Sequence, residues 1–459
     1  MKRLLEKIIA RLWNRVASRG QRLGRTTGLL LGNRVVDETV TQSKVTIPHW
    51  RRATHLALLG RTGTGKSSLI RWFCEQDTQA GRGFFVLDIH GELTPSILSL
   101  IAAQERRLNA DLSDRVIVID PADTAFAVGL NPLEARQGQD AFVRVSQFAE
   151  VLKQRWGLHA FGARTDELLR NSLLVLAENG LTLLELSPLL TDPLFRGACL
   201  ENVANTEIRD YFGARYGTAT DAMQAVMREP ILNKTSAFTA DPHFRFIVGQ
   251  QQSAFSVSRA MDEGKWVLVN LAKGKLGAEA ITLGALLLTL VKHSVFERMN
   301  RELFSVFADE VQNFIGYGAE LETMLAESRK FGIAICTANQ YLEQLPQEVR
   351  AAILAIGTQV CFQLSPPDAQ FVAAALDGGK SLAERLKNLP FRHVVVKSGS
   401  DPLVEVAVPE IREPKADWRD LYARSRGRWA RPRAAIEAEI AARHAGSGQA
   451  RKDNLNEWE

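Results

Sequence analysis

The sequence has few cysteines and no long hydrophobic run, and each shortage excludes a class of protein. Its 459 residues include four cysteines, which lie far apart and show neither the spacing of a metal site nor a disulfide framework. We expect them to be small buried apolar residues in a reducing compartment: Cys74, Cys199, Cys336 and Cys361. No run approaches the roughly 20 apolar residues that a membrane-spanning helix needs. The longest, LGALLLTLV at 283–291, is typical of a buried core helix.

Positive charge is modest overall but concentrated at the N-terminus. The formal net charge is +5, and residues 1–34 alone hold nine Lys or Arg residues against one acid, Glu6. Apolar residues recur there at helical spacing, while charges interrupt them too often for a secretory signal. The pattern predicts a basic amphipathic helix. Such a helix could pack on its own domain, lie on an anionic membrane, or bind a partner or nucleic acid.

Short apolar runs typical of strands alternate with helical patterns over two stretches of the chain, 35–133 and 263–408. Near-continuous Val, Ile, Leu and Phe runs in such an alternation predict a mostly parallel sheet with helices on both faces. Between the two stretches, at 134–262, the strand pattern stops and consecutive helical patterns follow. We therefore expect an α/β domain interrupted by an all-α insertion, after a leader at 1–34 and before a charged tail at 409–459.

The charged tail interleaves arginine with tryptophan and tyrosine and has one helical pattern, at 432–444. This composition suits contacts with nucleic-acid phosphates and some stacking on bases. A solvated charged surface has the same composition, so the tail by itself does not decide between the two interpretations.

A phosphate-binding loop is the most specific motif in the chain. GRTGTGKS, from Gly60 to Ser67, matches G-x-x-x-x-G-K-[ST] between an apolar strand pattern and a helical one. Its backbone N–H groups should face phosphates at the positive end of a helix. Lys66 should reach the β- and γ-phosphates, and the Ser67 hydroxyl should bind Mg²⁺. We expect the nucleotide to contact the whole loop: Gly60, Arg61, Thr62, Gly63, Thr64, Gly65, Lys66, Ser67 and Ser68.

Polar residues end three later strands, and we expect them to meet the loop at the carboxyl edge of the sheet. Asp309 and Glu310 end LFSVFADE; the first could hold Mg²⁺ and the second could orient or deprotonate the attacking water. Gln340, after the strand of ICTANQ, should come within reach of the γ-phosphate or that water. Asp88 and His90 in DIHGE are expected to form a loop beside the nucleotide and not a metal site.

These motifs, in their order, resemble the HerA–FtsK class of DNA-pumping ATPases. The matching segments include HLALLGRTGTGKSSL, FFVLDIHGEL, EGKWVLVNLAKGKLG, FADEVQNF and ESRKFGIAICTANQ. The resemblance covers roughly residues 35 to 410 and is strongest to the coupling proteins of type IV secretion and conjugation and to their soluble HerA-like relatives. It implies a RecA-like P-loop NTPase fold that binds ATP and Mg²⁺ between the subunits of a ring, usually a hexamer, and moves DNA.

The resemblance also implies roles for individual residues. Lys66 and Ser67 correspond to Walker A, Asp309 and Glu310 to Walker B, and Gln340 to the sensor. Arg329, in ESRKFG, is the first candidate for the arginine that enters a neighbouring subunit's site, although a surface ion pair is the rival interpretation. Arg164 and Lys234, in the insertion, are weaker candidates for contacts with DNA or nucleotide: both are basic residues in helical patterns.

One departure concerns the membrane. Membrane-bound coupling proteins begin with two transmembrane helices, whereas this chain begins with the basic leader, so we expect no integral membrane segment. A cytoplasmic location, with the leader docking at the inner membrane as a further option, is the resulting expectation.

Three functions are compatible with the motifs. The first is a DNA translocase for conjugative transfer, with a relaxase or secretion partner; the second is a HerA-like helicase in DNA repair or defence, with a nuclease partner. The third is a scaffold that assembles on ATP and scarcely hydrolyses it. Glu310 argues against the scaffold, since a scaffold needs no hydrolytic base there.

Overall fold

The computed structural model describes residues 28–134, 141–314, 319–343 and 345–456. The leader lies outside this range, apart from its last residues. The chain divides into two compact units. The first contains the described residues of Met1–Val116 with Ala260–Leu268 and Val295–Tyr422; the second contains Ile117–Arg259, Val269–Ser294 and the described residues of Ala423–Glu459. The boundaries of the insertion and of the tail drawn from the sequence stay a prediction.

The described residues form thirteen strands, of which eleven make one sheet. The sheet order is β2-β1-β12-β11-β10-β3-β9-β8-β4-β7-β5, and β6 pairs with β13. The strands are β1 Gly28–Val36, β2 Thr39–Pro48, β3 Leu56–Leu59, β4 Phe84–Asp88, β5 Val116–Ile119, β6 Phe126–Ala127, β7 Trp266–Asn270, β8 Phe304–Asp309, β9 Ile333–Asn339, β10 Thr358–Cys361, β11 His393–Ser398, β12 Val404–Ala407 and β13 Arg431–Pro432.

The mostly parallel sheet that the sequence predicts is confirmed. Strands β10, β3, β9, β8 and β4 pair in parallel, in that order, and are fully buried. Burial on both faces explains their near-continuous apolar sequences. At one edge, however, β11, β12, β1 and β2 pair antiparallel, which the sequence analysis did not predict.

The antiparallel edge changes the boundary of the leader. Strand β1 begins at Gly28, so residues 28–34, assigned to the leader from their charge, belong to the sheet. Asp37 and Glu38 connect β1 to β2, and both have positive φ angles, 47° and 62°. Two left-handed residues are what a tight two-residue hairpin turn requires. The hairpin escaped prediction because Asp-Glu lacks the Asn-Gly signature of such turns.

Helices α4 to α11 fill the region between β6 and β7, where the sequence predicts consecutive helices. Asp192, Asn205 and Asp241 cap three of them by accepting backbone hydrogen bonds. The helix predicted at 432–444 is also present and continues to Asn456. The helices are α1 His49–Arg52, α2 Lys66–Gln79, α3 Leu93–Leu108, α4 Ala141–Trp156, α5 Ala163–Glu178, α6 Leu186–Thr191, α7 Pro193–Glu201, α8 Thr206–Asp210, α9 Asp221–Thr239, α10 Pro242–Val248, α11 Val257–Asp262, α12 Lys273–Leu276, α13 Ala278–Phe296, α14 Ala319–Ser328, α15 Gln347–Leu354, α16 Pro366–Ala375, α17 Gly379–Lys387, α18 Arg419–Trp429 and α19 Arg433–Asn456.

Helix α13 contains the longest apolar run and is the one described helix with the length and composition to cross a membrane. Within its most apolar window, 67% of the residues are buried inside the protein, as in the core helix that the sequence predicts. The four cysteines are likewise buried and free, in agreement with their interpretation as small core residues.

A buried ionic cluster connects the segment before β3, the end of helix α2 and strand β8. Arg52, just before β3, donates to both carboxylate oxygens of Asp77 at 2.8 and 2.6 Å, and to the Ser305 hydroxyl at 2.6 Å. Asp77 lies near the end of α2, Ser305 lies on β8, and the partly exposed Arg82 donates to Asp77 at 2.7 Å. Burial opposes the ionisation of Asp77, but Arg52 and Arg82 outweigh it and lower the pKa of that carboxyl.

We predict that Asp77→Asn destabilises the protein strongly, because it leaves the Arg52 guanidinium buried without a counter-charge. The expected loss of unfolding free energy is about 3–5 kcal/mol, measured by chemical denaturation. Asp401→Asn is the control, since it removes an ion pair with Arg51 in which the carboxylate is half exposed. It should cost about 1 kcal/mol or less. Equal denaturation midpoints for the two variants would contradict the prediction.

Candidate nucleotide-binding site

The loop from Gly60 to Gly65 leaves the carboxyl end of β3 and turns directly into α2. Gly63 and Gly65 have φ angles of 78° and 104°, which only glycine adopts readily. Gly60 is needed for another reason: a Cβ there would lie 2.7 Å from the Cβ of Phe362. The sequence motif therefore has its glycines where the backbone turns left-handed or passes against the segment after β10.

Neighbouring strands hold the loop on both sides. The Gly60 N–H donates to the Asn339 carbonyl oxygen at 3.3 Å, and the Arg61 N–H donates to the Gln363 carbonyl oxygen at 3.0 Å. Asn339 ends β9 and Gln363 follows β10, the two strands that flank β3. The loop conformation is thus set by the sheet as well as by its own sequence.

Lys66 is 5% exposed and points back into its own loop. Its ammonium donates to the carbonyl oxygens of Gly60 at 2.6 Å and Arg61 at 3.1 Å. Burial lowers the pKa of Lys66, while Glu310 and Asp309 act in the opposite direction. The loop and the acids therefore surround one buried cation, as a site for triphosphate oxygens requires.

Asp309 is the last residue of β8 and lies next to the first turn of α2. The Ser67 hydroxyl donates to Oδ2 of Asp309 at 3.2 Å. Asp309 is 4% exposed, and burial, followed by the repulsion of Glu310, raises its pKa to about 6. Hydroxyl and carboxylate oxygens are the ligands that Mg²⁺ prefers, and it commonly binds one or two protein groups together with phosphates and water. Ser67 and Asp309 therefore fit the metal role predicted for them.

Glu310 follows Asp309 in a left-handed conformation, with a φ angle of 52°. Gln312 donates from Nε2 to Oε2 of Glu310 at 2.5 Å. Asn339 in turn donates from Nδ2 to Oε1 of Gln312 at 2.7 Å. Neither amide was predicted from the sequence. Their positions, within DEVQN and directly before Gln340, lie in loops that it expected to converge.

Gln340 lies beside the loop, as the sequence predicts. Its Oε1 accepts a hydrogen bond of 2.6 Å from the Thr62 hydroxyl. Asp88 supports its own loop, since its carboxylate accepts the N–H groups of Gly91 at 2.8 Å and Thr94 at 2.7 Å. His90, which is exposed, interacts with Asp309 and opposes the rise in its pKa. DIHGE is therefore a loop next to the site, as expected.

Arg329 lies at the other end of the sheet. It is exposed in the turn Arg329–Phe331, which Gly332 connects to the first residue of β9. Strand β9 then runs seven residues to Asn339, a length of about 20 Å. The structure therefore does not bring Arg329 to the phosphate-binding loop of its own chain.

The remaining basic candidates belong to the second unit. Arg164 and Lys234 are exposed on α5 and α9, and Arg164 contacts the Met223 sulfur at 3.5 Å. Arginines of the tail, by contrast, bind groups of their own unit. Arg426 pairs with Asp123 at 3.3 Å, Arg431 with Glu439 at 2.6 Å, and Arg433 donates to the Pro121 and Pro242 carbonyl oxygens at 2.9 Å. This bonding favours a structural role for the tail over the phosphate contacts that its composition allowed.

His55, just before β3, hydrogen-bonds to helix α14 and strand β9, the elements on either side of Arg329. Its Nδ1 accepts the Ile335 N–H at 3.1 Å, so Nε2 carries the proton and donates to the Leu325 carbonyl oxygen at 2.6 Å. Burial lowers its pKa to about 4; the bond to Leu325 opposes this shift and the charge of Arg329 adds to it. The imidazole is thus neutral in the folded protein near neutral pH.

We predict that His55 makes the protein less stable as the pH falls from about 6.5 towards 4. In that window the unfolded chain binds a proton that the folded chain does not, so unfolding becomes more favourable by up to about 1.4 kcal/mol per pH unit. His55 has a positive φ angle of 69°, which asparagine tolerates, so His55→Asn removes this contribution without backbone strain. The measurement is denaturant unfolding of both proteins across the window. Identical pH dependence in the two would contradict the prediction.

The fold and the site define a P-loop nucleotide-binding protein with a RecA-like fold. The family model described as the central domain of the helicase HerA matches residues 39–158. No curated protein sequence matches the chain significantly.

Solved structures match over most of the chain. The bacterial conjugative coupling protein TrwBdeltaN70, unbound, has a TM-score of 0.58 and 18% identity, covering 86% of this chain and 94% of that one. TrwB with ADP and Mg²⁺ has a TM-score of 0.54 and 17% identity, with coverages of 86% and 97%. VirB4 of Thermoanaerobacter pseudethanolicus has a TM-score of 0.57 and 16% identity, with coverages of 84% and 97%. At these identities the likeness shows the fold. The HerA model matches residues 39–158, less than half of the chain, so it shows a likeness of that region to the central domain of HerA.

Proposed function

We propose that this chain is an ATP-driven DNA translocase, which hydrolyses ATP at the interfaces of a ring of identical subunits. The observation that carries the proposal is the arrangement at the carboxyl edge of the sheet. Ser67 and Asp309 lie 3.2 Å apart, and Glu310 is the next residue. A second acid directly after the metal-binding one suits hydrolysis, because a water needs a base or an orienting group.

Each residue of the site has a distinct task in this proposal. Loop N–H groups and Lys66 bind the ATP phosphates and balance their charge. Mg²⁺, held by Ser67 and Asp309, would withdraw charge from the β- and γ-phosphates. Glu310 orients the attacking water and accepts its proton, and Gln340 holds Thr62 of the loop while reporting on the γ-phosphate. These tasks require no residue from the second unit.

The position of Arg329 supports the ring in this proposal. An arginine that stabilises the transition-state charge must touch the transferred phosphate, and this one lies about 20 Å along β9 from the end of the strand that holds the loop. In a head-to-tail ring, the strand ends that carry Arg329 in one copy can meet the carboxyl strand ends, where the nucleotide binds, in the next copy. A hexamer is the ring size that the superfamily resemblance implies.

DNA as the moved substrate is supported by the superfamily resemblance of the motifs and by the likeness to the fold of a coupling protein. TrwB is described as a conjugative coupling protein, and the matching family model as part of a helicase. We therefore propose that this protein acts on DNA, single- or double-stranded, together with a relaxase or secretion partner. A cytoplasmic location, with docking of the basic leader at the inner membrane, completes the proposal.

Two substitutions test the hydrolytic site. Glu310→Gln should keep ATP binding but lower ATP turnover about a hundredfold or more, since it removes the base. Lys66→Ala should lose both, because the buried cation that faces the phosphates is gone. ATP turnover with and without DNA, read beside ATP affinity, measures each effect. Full activity of Glu310→Gln would overturn the assignment of the base; wild-type turnover unaffected by any DNA would favour an ATP-gated scaffold.

Mixing two inactive variants tests the shared site. Arg329→Ala should bind ATP and lose turnover on the order of a thousandfold. Rings assembled from Arg329→Ala and Glu310→Gln subunits should regain activity, because some interfaces combine an intact Glu310 with an intact Arg329. Lys330→Ala, at the exposed neighbouring position, is the matched control and should stay active. If mixed rings remain as inactive as either parent, Arg329 does not act on a neighbouring subunit.

The HerA match supports a second candidate, a helicase in DNA repair or defence that works with a nuclease. Its motor residues would be the same, so the partner distinguishes it. Co-purification of the native complex with a nuclease would favour this role, and co-purification with a relaxase or secretion components would favour transfer.

A further inference from the structure

The hydrolytic carboxylate is tied to a second strand by two amide side chains. Gln312 donates to Oε2 of Glu310 at 2.5 Å, and Asn339 donates to Oε1 of Gln312 at 2.7 Å. Asn339 is 1% exposed and Glu310 is 5% exposed, so water competes little for these bonds. Neither amide takes a direct part in the proposed reaction.

The two hydrogen bonds run in one direction, and that direction fixes the orientation of Gln312. An amide has a donor end and an acceptor end. Because Nδ2 of Asn339 occupies the acceptor end of Gln312, the donor end must face Glu310. The Oδ1 atom of Asn339 is buried without a hydrogen-bond partner in the described part of the chain. Leaving the oxygen of a buried amide without a partner costs free energy. That Asn339 keeps this conformation, with Nδ2 bound to Gln312, indicates that its role is to orient Gln312.

The same strand end also touches the phosphate-binding loop. The Asn339 carbonyl oxygen accepts the Gly60 N–H at 3.3 Å, and the next residue, Gln340, binds Thr62 at 2.6 Å. A shift of the loop would therefore move the backbone that carries the Asn339 amide. Through Gln312, that movement would reach the carboxylate of Glu310.

We propose that Gln312 and Asn339 are the positioning pair of Glu310: a one-way relay of amide donors that aims its carboxylate and links this aim to the phosphate-binding loop. The proposal rests on the proposed function, in which Glu310 acts on the attacking water. The side-chain hydrogen bonds of the pair lead to Glu310 and not to Lys66 or Ser67, so the pair should govern the rate of turnover and not the affinity for nucleotide. The left-handed backbone at Glu310 makes such support useful, since a turn residue has no helix or strand to hold it.

Gln312→Met keeps the length of the side chain and removes the donor. We expect kcat for ATP to fall about ten- to a hundredfold, the effect of losing a hydrogen bond to a charged group, with ATP affinity and thermal stability near wild type. Gln312→His should regain part of the rate, because an imidazole can accept from Asn339 with one nitrogen and donate to Glu310 with the other. A side chain that only filled space would show no such rescue.

The order of the relay gives a second test. Asn339→Leu should lower kcat by frustrating the orientation of Gln312, and the double variant with Gln312→Met should be no slower than Gln312→Met alone. Independent structural effects would instead multiply. Gln359→Met is the matched control: Gln359 is a buried amide on β10 that donates to the Leu354 carbonyl oxygen, away from the relay.

The outcomes separate this inference from the proposed function. Wild-type kcat in Gln312→Met, or multiplying losses in the double variant, overturns the relay and leaves the ATPase intact. A wild-type protein that does not turn over ATP overturns both. A loss of rate confined to the relay variants, with rescue by histidine, supports the inference.

Discussion

The structure depends on one constraint: neighbouring parallel strands end at the same edge of the sheet. Strand β9 lies between β3 and β8, and all three run in the same direction. The phosphate-binding loop after β3, the amides at the end of β9 and the acids at the end of β8 therefore meet, although they lie far apart in the sequence. Gly60 permits the close contact with Phe362 that holds the loop there. Site geometry is thus a consequence of strand order.

The convergence of the strand ends brings three buried charged groups together: Lys66, Asp309 and Glu310. The balance of their charges explains which hydrogen bonds they form. Asp309 and Glu310 repel each other, which contributes to the raised pKa of Asp309. Lys66 is the counter-charge, but its hydrogen bonds go to loop carbonyl oxygens and not to the acids. Two adjacent carboxylates facing a single lysine are short of positive charge, which is the condition that a divalent cation relieves. At the opposite end of the strands, Asp77 between Arg52 and Arg82 needs no such partner.

The sequence predicts the central sheet and most of the site because their signals are local. GRTGTGKS, FADE and TANQ each stand at the end of an apolar run, and parallel sheets bring such ends together. The antiparallel edge was not predictable in the same way, since Asp37 and Glu38 carry no strong turn signature. Gln312 and Asn339 escaped for a different reason. Their contact exists only because β8 and β9 are neighbours, and a single sequence does not give strand order.

Arg329 shows how strand length alone constrains assembly. The seven residues of β9 place this arginine about 20 Å from the strand end where the acids and the loop meet, and no side chain spans that distance. If the arginine takes part in hydrolysis, the site must contain two copies of the chain. Each copy must then present one end of its parallel strands to one neighbour and the other end to the other neighbour. His55 would then help to position Arg329. It lies directly before β3 and hydrogen-bonds to the segments on either side of Arg329. One strand would thus carry the loop that binds ATP at one end and support the arginine that acts on the neighbouring copy at the other.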